Sequence, residues 1–535
     1  MQENRHSELP ECASEYIELV ISRMRCSSKT RREVRRELTA HFADATGTCS
    51  EGDESVEELI RGFGDAEMLA KLIKRGKKRC RPLWLRSLIV FGQVFGVLLL
   101  VTIGRVVYLA VGTCTPAVDY VKWMNDAVRE GRSEDLNALP YYSEAVRLGK
   151  PIPETLNQVC GGGVKDKQIT AEQWDEIKGF LAADTAALDA LRHGAEKPSY
   201  WNVYQGREVK TGYDLASQVV MGIEPDLQGY KRLAREIANL EIPWLLHNNR
   251  PEDALDESIV LHRFACHLGD NGMMIEQLVG IAIEAMAYET TLSIIADSDI
   301  SYEKLTGIQA QLEQIHQGSA GIDLRTETAF WYDAIQRTFT DDGKDSGRPT
   351  IKALPLAVND VKGALRGFVA GYPDRKEITK GIEKVFDKLA ALNNQTPWQL
   401  KKTGFDDSQL EKIADGQFLL KVSVPAMFRS MEIAWRARLS QRALTAVIAI
   451  LRYEKQRGEY PEKLEDVVTA GYLKELPQDP YSDKPLEYKH DGESFTLYSF
   501  GPDMDDDQGR MGLKNDKPFK WADDGDAVFW PHVKQ

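Results

Sequence analysis

The chain has 535 residues, with 68 Lys and Arg against 82 Asp and Glu and a net charge of −14. That balance excludes a surface built to hold nucleic-acid phosphates, which needs clustered positive charge, and suits cations or basic partners instead. Seven cysteines, at Cys12, Cys26, Cys49, Cys80, Cys114, Cys160 and Cys266, are too few and too scattered for a disulfide-stapled scaffold.

The first eighty residues read as three or four short helices. Ser27 and Ser28 cap a helix through Lys29 to Phe42, in which Val34, Leu38 and Phe42 recur at i, i+4 and i+8 and line one face. A further helix holds Val56, Leu59, Ile60 and Phe63; Gly62 and Gly64 end it, and Asp65 caps the helix Ala66 to Ile73. These stripes suffice for a small core. Arg31, Arg32, Arg35 and Arg36 interleave with Glu33 and Glu37, the pattern of a solvated helix face rather than a phosphate-binding one. The order Tyr16-Ile-Glu-Leu, an Arg/Glu-rich helix, Glu57 to Asp65 and Met68 to Ile73 resembles the HAAS-type domain at the N-terminus of bacterial membrane proteins. The resemblance covers about residues 15–79 and implies a cytoplasmic signalling or interaction module.

From Ser87 to Gly104 the chain carries no charge. Eighteen helical residues at about 1.5 Å each reach roughly 27 Å, close to the hydrocarbon thickness of a bilayer. Lys74, Arg75, Lys77, Lys78, Arg79, Arg81 and Arg86 crowd the N-terminal flank, which places that end in the cytoplasm by the positive-inside rule. A segment of some eighty residues precedes the apolar run, so it reads as a retained anchor and not as a cleaved leader. Residues 1–82 are nearly neutral, so the acidic excess lies beyond the anchor. Only Cys114, Cys160 and Cys266 lie on that side, enough for one disulfide at most.

Between Val118 and about Ala443, helix-like patterns alternate with Gly, Pro and Asn. Ala171 to Leu181, Tyr230 to Leu240 and Met274 to Tyr288 are the clearest. The last is apolar enough to be central, yet Glu276, Glu284 and Glu289 argue against a second span. Asp341 to Pro349 reads as an exposed loop, Cys160 to Gly163 as a turn, and no strict repeat occurs. His262 and Cys266, four apart with His267 adjacent, could share a helix face as metal ligands. Ordinary packing is the plainer reading. Glu284, set among apolar neighbours, reads either as a carboxylate with raised pKa or, more simply, as a residue on its helix's polar side. No Gly-x-Ser-x-Gly, His-Glu-x-x-His or Cys-x-x-Cys pattern is present.

Near the end, an apolar-striped helix from Leu439 to Arg457 stops at Gly458-Glu-Tyr-Pro461. A short helix, Leu464 to Ala470, precedes Tyr472 to Pro480 and two strand-like segments, Pro485 to Lys489 and Ser494 to Phe500, with a hairpin signal at Asp491-Gly492. The Gly-x-Tyr-Pro turn, the Leu476 to Pro480 segment and the Ser499-Phe-Gly-Pro-Asp503 loop together resemble the C-terminal half of a type II secretion major pseudopilin, over roughly 439–510. The resemblance implies a small extracytoplasmic α+β module whose acidic loop holds calcium. Asp503 is the residue carried over by position, with Asp505, Asp506 and Asp507 as helpers. The loop is not an EF-hand, because Gln508 and Lys514 replace the glycine and the bidentate glutamate. In pseudopilins an N-terminal hydrophobic helix continues directly into the globular part. Here the anchor follows a cytoplasmic segment and stands some three hundred residues from the module, so assembly into a fibre is not expected.

The expected fold is mainly α: a helical bundle over 1–82, one transmembrane helix within 83–112, a large helical extracytoplasmic domain over 113–430 and a small C-terminal α+β module with a β-hairpin over 431–535. The expected role is that of a single-pass inner-membrane protein, N-terminus cytoplasmic and C-terminus outside, that acts as a non-enzymatic interaction or scaffold protein. The alternatives are a transmembrane signalling protein whose head regulates a partner, and an envelope hydrolase resting on Glu284 and the His262/Cys266 pair.

Overall fold

The computed structural model describes residues 9–47, 53–79, 83–160, 169–205, 226–318, 321–341, 343, 346–351, 371–413, 420, 423–490 and 492–533. They are mainly helical, with a few short antiparallel strands. The chain divides into two units, Met1–Val106 and Val107–Gln535.

The first unit contains α1 (Glu11–Arg23), α2 (Ser28–Gly47), α3 (Asp53–Phe63), α4 (Ala66–Arg79) and most of α5 (Leu83–Ala110). The Val34, Leu38 and Phe42 stripe is buried against Tyr16, Ile17 and Val20 of α1 and Val56 of α3. Ser27 Oγ accepts the Thr30 N–H and Asp65 Oδ2 accepts the Met68 N–H, so both expected caps form. Tyr16 Oη donates to the Gly64 carbonyl at 2.9 Å and ties α1 to the turn before α4. Lys77 bonds Glu33 and Glu37 of α2 at 3.0 and 2.8 Å. One member of the basic run is therefore neutralised by the Arg/Glu-rich helix. Arg81, Cys49 and Cys80 lie outside the described residues.

The apolar side chains of α5 from Leu88 to Val107 are exposed. Phe91 and Leu100 are 72% and 71% exposed, and the most apolar window of Ser87–Ala110 has a mean hydropathy of 2.2 with none of it buried. A second helix, Met274–Asp297, is also long and apolar enough to cross a membrane, with a mean hydropathy of 1.5, but 56% of its window is buried by neighbouring protein.

The principal helices of the second unit are α6 (Tyr120–Arg129), α7 (Leu139–Leu148), α8 (Ala171–Ala195), α9 (Leu227–Glu236), α10 (Ile242–His247), α11 (Pro251–Gly269), α12 (Met274–Asp297), α13 (Tyr302–Ile315), α14 (Arg325–Thr338), α15 (Arg375–Asn393), α16 (Ser423–Arg457) and α17 (Leu464–Thr469). A π-helical turn, Ile237–Glu241, joins α9 to α10 just before Pro243, whose missing N–H loosens the i→i−4 ladder there. Helices α11 and α12 form a tight antiparallel hairpin. A Cβ on Gly280 would fall 2.5 Å from the Gly269 nitrogen and 2.7 Å from the Ala265 oxygen, so only glycine permits this approach. The Asp341 to Pro349 segment is clasped at its ends by the Phe339–Pro349 bridge. Its Asp342, Lys344 and Asp345, like Gly161, Gly162 and Gly163 of the Cys160 to Gly163 run, lie outside the described residues.

The strands are β1 (Gln478–Asp479), β2 (Lys484–Pro485), β3 (Glu487–His490), β4 (Phe495–Ser499), β5 (Leu513–Lys514), β6 (Lys517–Pro518) and β7 (Ala527–Trp530). β3 and β4 pair antiparallel with Glu487 opposite Tyr498, as the hairpin signal requires, and β7 adds to the free edge of β4. Asp491 of the turn lies outside the described residues. Gly458 ends α16 at φ +79, the left-handed cap expected of it.

Helix α16 starts at Ser423, well before the expected Leu439. Its first half, with Val424, Met427 and Met431, packs in a core with α14 and α15; its second half, with Leu439, Leu444 and Val447, packs with α11, α12 and α13. Leu464, Tyr481, Leu486, Phe495, Leu497 and Phe529 belong to that second core. The segment 431–535 thus shares its apolar interior with the helical middle.

Candidate functional site

Three helices converge on a cluster of buried polar groups. His262 projects from α11, Glu284 from α12, and His316 follows the last turn of α13. Their side chains are 0%, 6% and 10% exposed. His262 Nδ1 lies 2.9 Å and His316 Nε2 3.1 Å from the same oxygen, Glu284 Oε1. The two rings meet edge to face with centroids 5.5 Å apart. Burial alone would push the Glu284 carboxyl up; the imidazoles of His262 and His316 outweigh it and hold the group well below the usual carboxylate range.

These contacts correct the expectations for Glu284. It stands neither on a solvated face nor with a raised pKa, because the apolar neighbours that bury it also bring two imidazoles to it. The His262/Cys266 pair does not form either. Cys266 Sγ is bonded to the Ile315 carbonyl and Asp270, and burial with nearby Asp270 and Glu284 keeps its thiol protonated. His267 turns away to Tyr142, whose Oη lies 2.6 Å from its Nδ1, and burial pushes the imidazole down to about 4. His316 carried no signal of its own in the sequence; it lies fifty-four positions from His262 and joins it only through the packing of α13 on α11.

On the Glu284 side lies a cavity of about 50 Å³ lined by Cys266, Asp270, Glu284, Arg438 and small residues including Gly280 and Gly321. Such a space holds one or two waters, and a second cavity of about 260 Å³, lined by Glu284, Tyr288, Arg436 and Trp521, reaches the same residue.

The acidic C-terminal loop is rearranged relative to its sequence order. Carboxylate oxygens of Asp503, Asp507 and Asp524 come within 4.8 Å of one another. Asp505 is exposed, and Asp506 Oδ1 instead accepts from Tyr498 Oη and the Gln508 N–H. Asp507 also pairs with Arg510. Nearby Asp526 has a buried Oδ1 without a hydrogen-bond partner, and burial pushes its carboxyl up to about 6. A close set of oxygen donors with surplus negative charge fits a hard divalent cation such as Ca²⁺.

A third cluster is braced by arginines. Arg192 binds Asp189, Glu241 and Glu257 at 2.5–2.9 Å, and Arg232 binds Glu236 and Asp184 at 3.1 and 3.4 Å. Burial, with Asp184 beside it, pushes the Glu236 carboxyl up to about 9. These pairs join α8, α9 and α11 through the π-turn.

Comparison of the chain with protein-family models, with curated proteins and with solved structures gave no match.

Proposed function

We propose that the chain is a single-pass integral membrane protein, with its helical bundle in the cytoplasm and its larger unit outside, that works as a non-enzymatic interaction or scaffold protein of a bacterial-type envelope. The observation that carries this reading is α5, whose apolar side chains from Leu88 to Val107 are exposed and would be covered by lipid, with Lys and Arg crowded in the sequence before it. Helix α12 belongs instead to the interior of the outer unit, since protein already covers much of it and Glu276 and Glu284 are buried in polar contacts there. The pseudopilin-like reading of the C-terminal module is supported by its β-hairpin and by the contact between its two motif segments, and calcium is its proposed ligand through Asp503 and Asp507, with Asp524 in place of Asp505 and Asp506. The HAAS-like reading of the bundle favours a second role, signalling through the cytoplasmic head.

Carbonate extraction and cysteine labelling test the topology. Lys29→Cys should be shielded from an impermeant thiol reagent in intact spheroplasts and Glu462→Cys should react, each in a background lacking the native cysteines. The reverse pattern, or release of the protein by carbonate, overturns the reading. Crosslinking in native membranes with mass spectrometry then identifies partners. A scaffold keeps its outer partners when residues 1–79 are deleted, whereas a signalling protein loses its output.

A further inference from the structure

The hydrogen-bond arithmetic around His262 leaves one atom without a compatible neighbour. Thr291 Oγ1 donates its single proton to the Ala287 carbonyl at 2.8 Å. At 3.2 Å from His262 Nε2 it can therefore only accept, which places a proton on Nε2. A neutral His262 then presents the bare lone pair of Nδ1 to the carboxylate oxygen of Glu284 at 2.9 Å. Two lone pairs at that distance repel. Glu284 Oε2 and His316 Nδ1 are likewise buried without a hydrogen-bond partner, and the one close polar neighbour of His316 Nε2 is the already shared Glu284 Oε1 at 3.1 Å. Three adjacent buried side chains thus turn lone pairs toward one point, an arrangement that a cation between them completes.

We propose that His262 Nδ1, Glu284 and His316 Nε2 are the protein ligands of a divalent transition-metal ion of the Zn²⁺ class. Two imidazoles and a carboxylate are borderline donors that suit this class and not Ca²⁺ or Mg²⁺. With bonds of about 2.0–2.1 Å, a tetrahedral site separates neighbouring ligand atoms by about 3.3–3.4 Å. The observed 2.9 and 3.1 Å need to widen by only a few tenths of an ångström. Thr291 acts behind the metal: by fixing the Nε2–H it turns Nδ1 toward the ion. Water from the adjoining cavity completes the fourth position. The ion joins α11, α12 and the end of α13 and so staples three helices together.

The test uses the full chain, purified in mild detergent, stripped with chelator and titrated with Zn²⁺ or, for a visible spectrum, Co²⁺. The expected result is one tightly held ion per chain, a Tm raised by several degrees, and Co²⁺ absorption of a four-coordinate N/O site. His316→Ala and Glu284→Gln should each weaken binding by at least a hundredfold, and exposed His193→Ala should leave it unchanged. If either ligand variant fails to fold, the wild-type Co²⁺ spectrum and stoichiometry still decide. Wild-type protein that takes up no ion at micromolar metal, or whose binding is lost in His193→Ala and kept in His316→Ala, overturns the proposal.

Discussion

The Ser499 hydroxyl donates to Asp479 Oδ1 at 2.7 Å, so the residue that opens the terminal loop is fastened to the aspartate of the Leu-Pro-Gln-Asp-Pro segment. Asp479 also accepts the Tyr481 N–H at 3.0 Å, the Phe500 N–H at 3.2 Å and the Ser482 hydroxyl at 3.1 Å. Two motifs twenty residues apart are thereby one buried hydrogen-bond network around a single carboxylate.

Asp479→Ala strands several of these donors at once and should cost about 2–4 kcal/mol, while Ser499→Ala, which removes one charge-assisted bond, should cost about 1.5–3 kcal/mol. Thermal unfolding of the full chain checks both. Equal, small effects would show that water replaces the carboxylate.

Buried acids and a buried histidine give the second unit a stability maximum. Glu236 keeps its proton to about 9 and Glu276 to about 7 in the folded protein, both chiefly through burial, whereas the unfolded chain releases them near 4.5. Their contribution is fully present below about pH 4.5 and is lost progressively as pH rises, up to about 7 for Glu276 and about 9 for Glu236. His267, pushed down to about 4, acts oppositely: unfolding lets it take up a proton, so stability falls as pH drops from about 6.5 toward 4. Between about pH 4.5 and 6.5 the two acids together outweigh His267, so for these groups the Tm should peak near pH 4.5 and fall toward pH 9. In Glu236→Gln, which mimics the protonated acid, the decline toward pH 9 should be shallower than in the wild type.

Gly280→Ala should separate α11 from α12, because the added methyl meets backbone atoms that cannot rotate away. The cost is about 1–3 kcal/mol or more. Since Gly280 lies one turn before Glu284, the variant should also disturb the His262–Glu284 contact, visible as shifted histidine resonances in NMR.

Millimolar Ca²⁺ should raise the Tm of the full chain by a few degrees if Asp503, Asp507 and Asp524 hold the ion, and Asp503→Asn combined with Asp507→Asn should abolish the rise. A wild-type Tm indifferent to Ca²⁺, or a rise that the double variant retains, would refute the assignment.

Local pattern reached some of this and not the rest. The Val34, Leu38 and Phe42 stripe, the Asp65 cap, the Gly458 stop and the β3–β4 hairpin are encoded within a few residues of themselves and were legible. β7 was hidden because Ala527-Val-Phe-Trp is only four residues in an Asp- and Gly-rich tail and pairs with a strand about thirty positions earlier. The early start of α16 escaped for a related reason: its first turns carry scattered Arg and Glu that blur the apolar stripe. His262 and Glu284 each stood out singly, but their meeting depends on the close approach permitted at Gly280, which no spacing within one helix encodes. Asp524 likewise reaches Asp503 only through a chain reversal.

Helix α16 belongs to two interiors at once, and its second half carries much of the wall against which the C-terminal strands are laid. A chain cut anywhere along that helix would therefore expose two raw apolar surfaces instead of yielding a detachable tail. Limited proteolysis should spare Ser423–Arg457 and bite in surface turns, and gene fusions or exchanges that treat the last hundred residues as a cassette should fail unless they carry the whole helix and its helical neighbours with them.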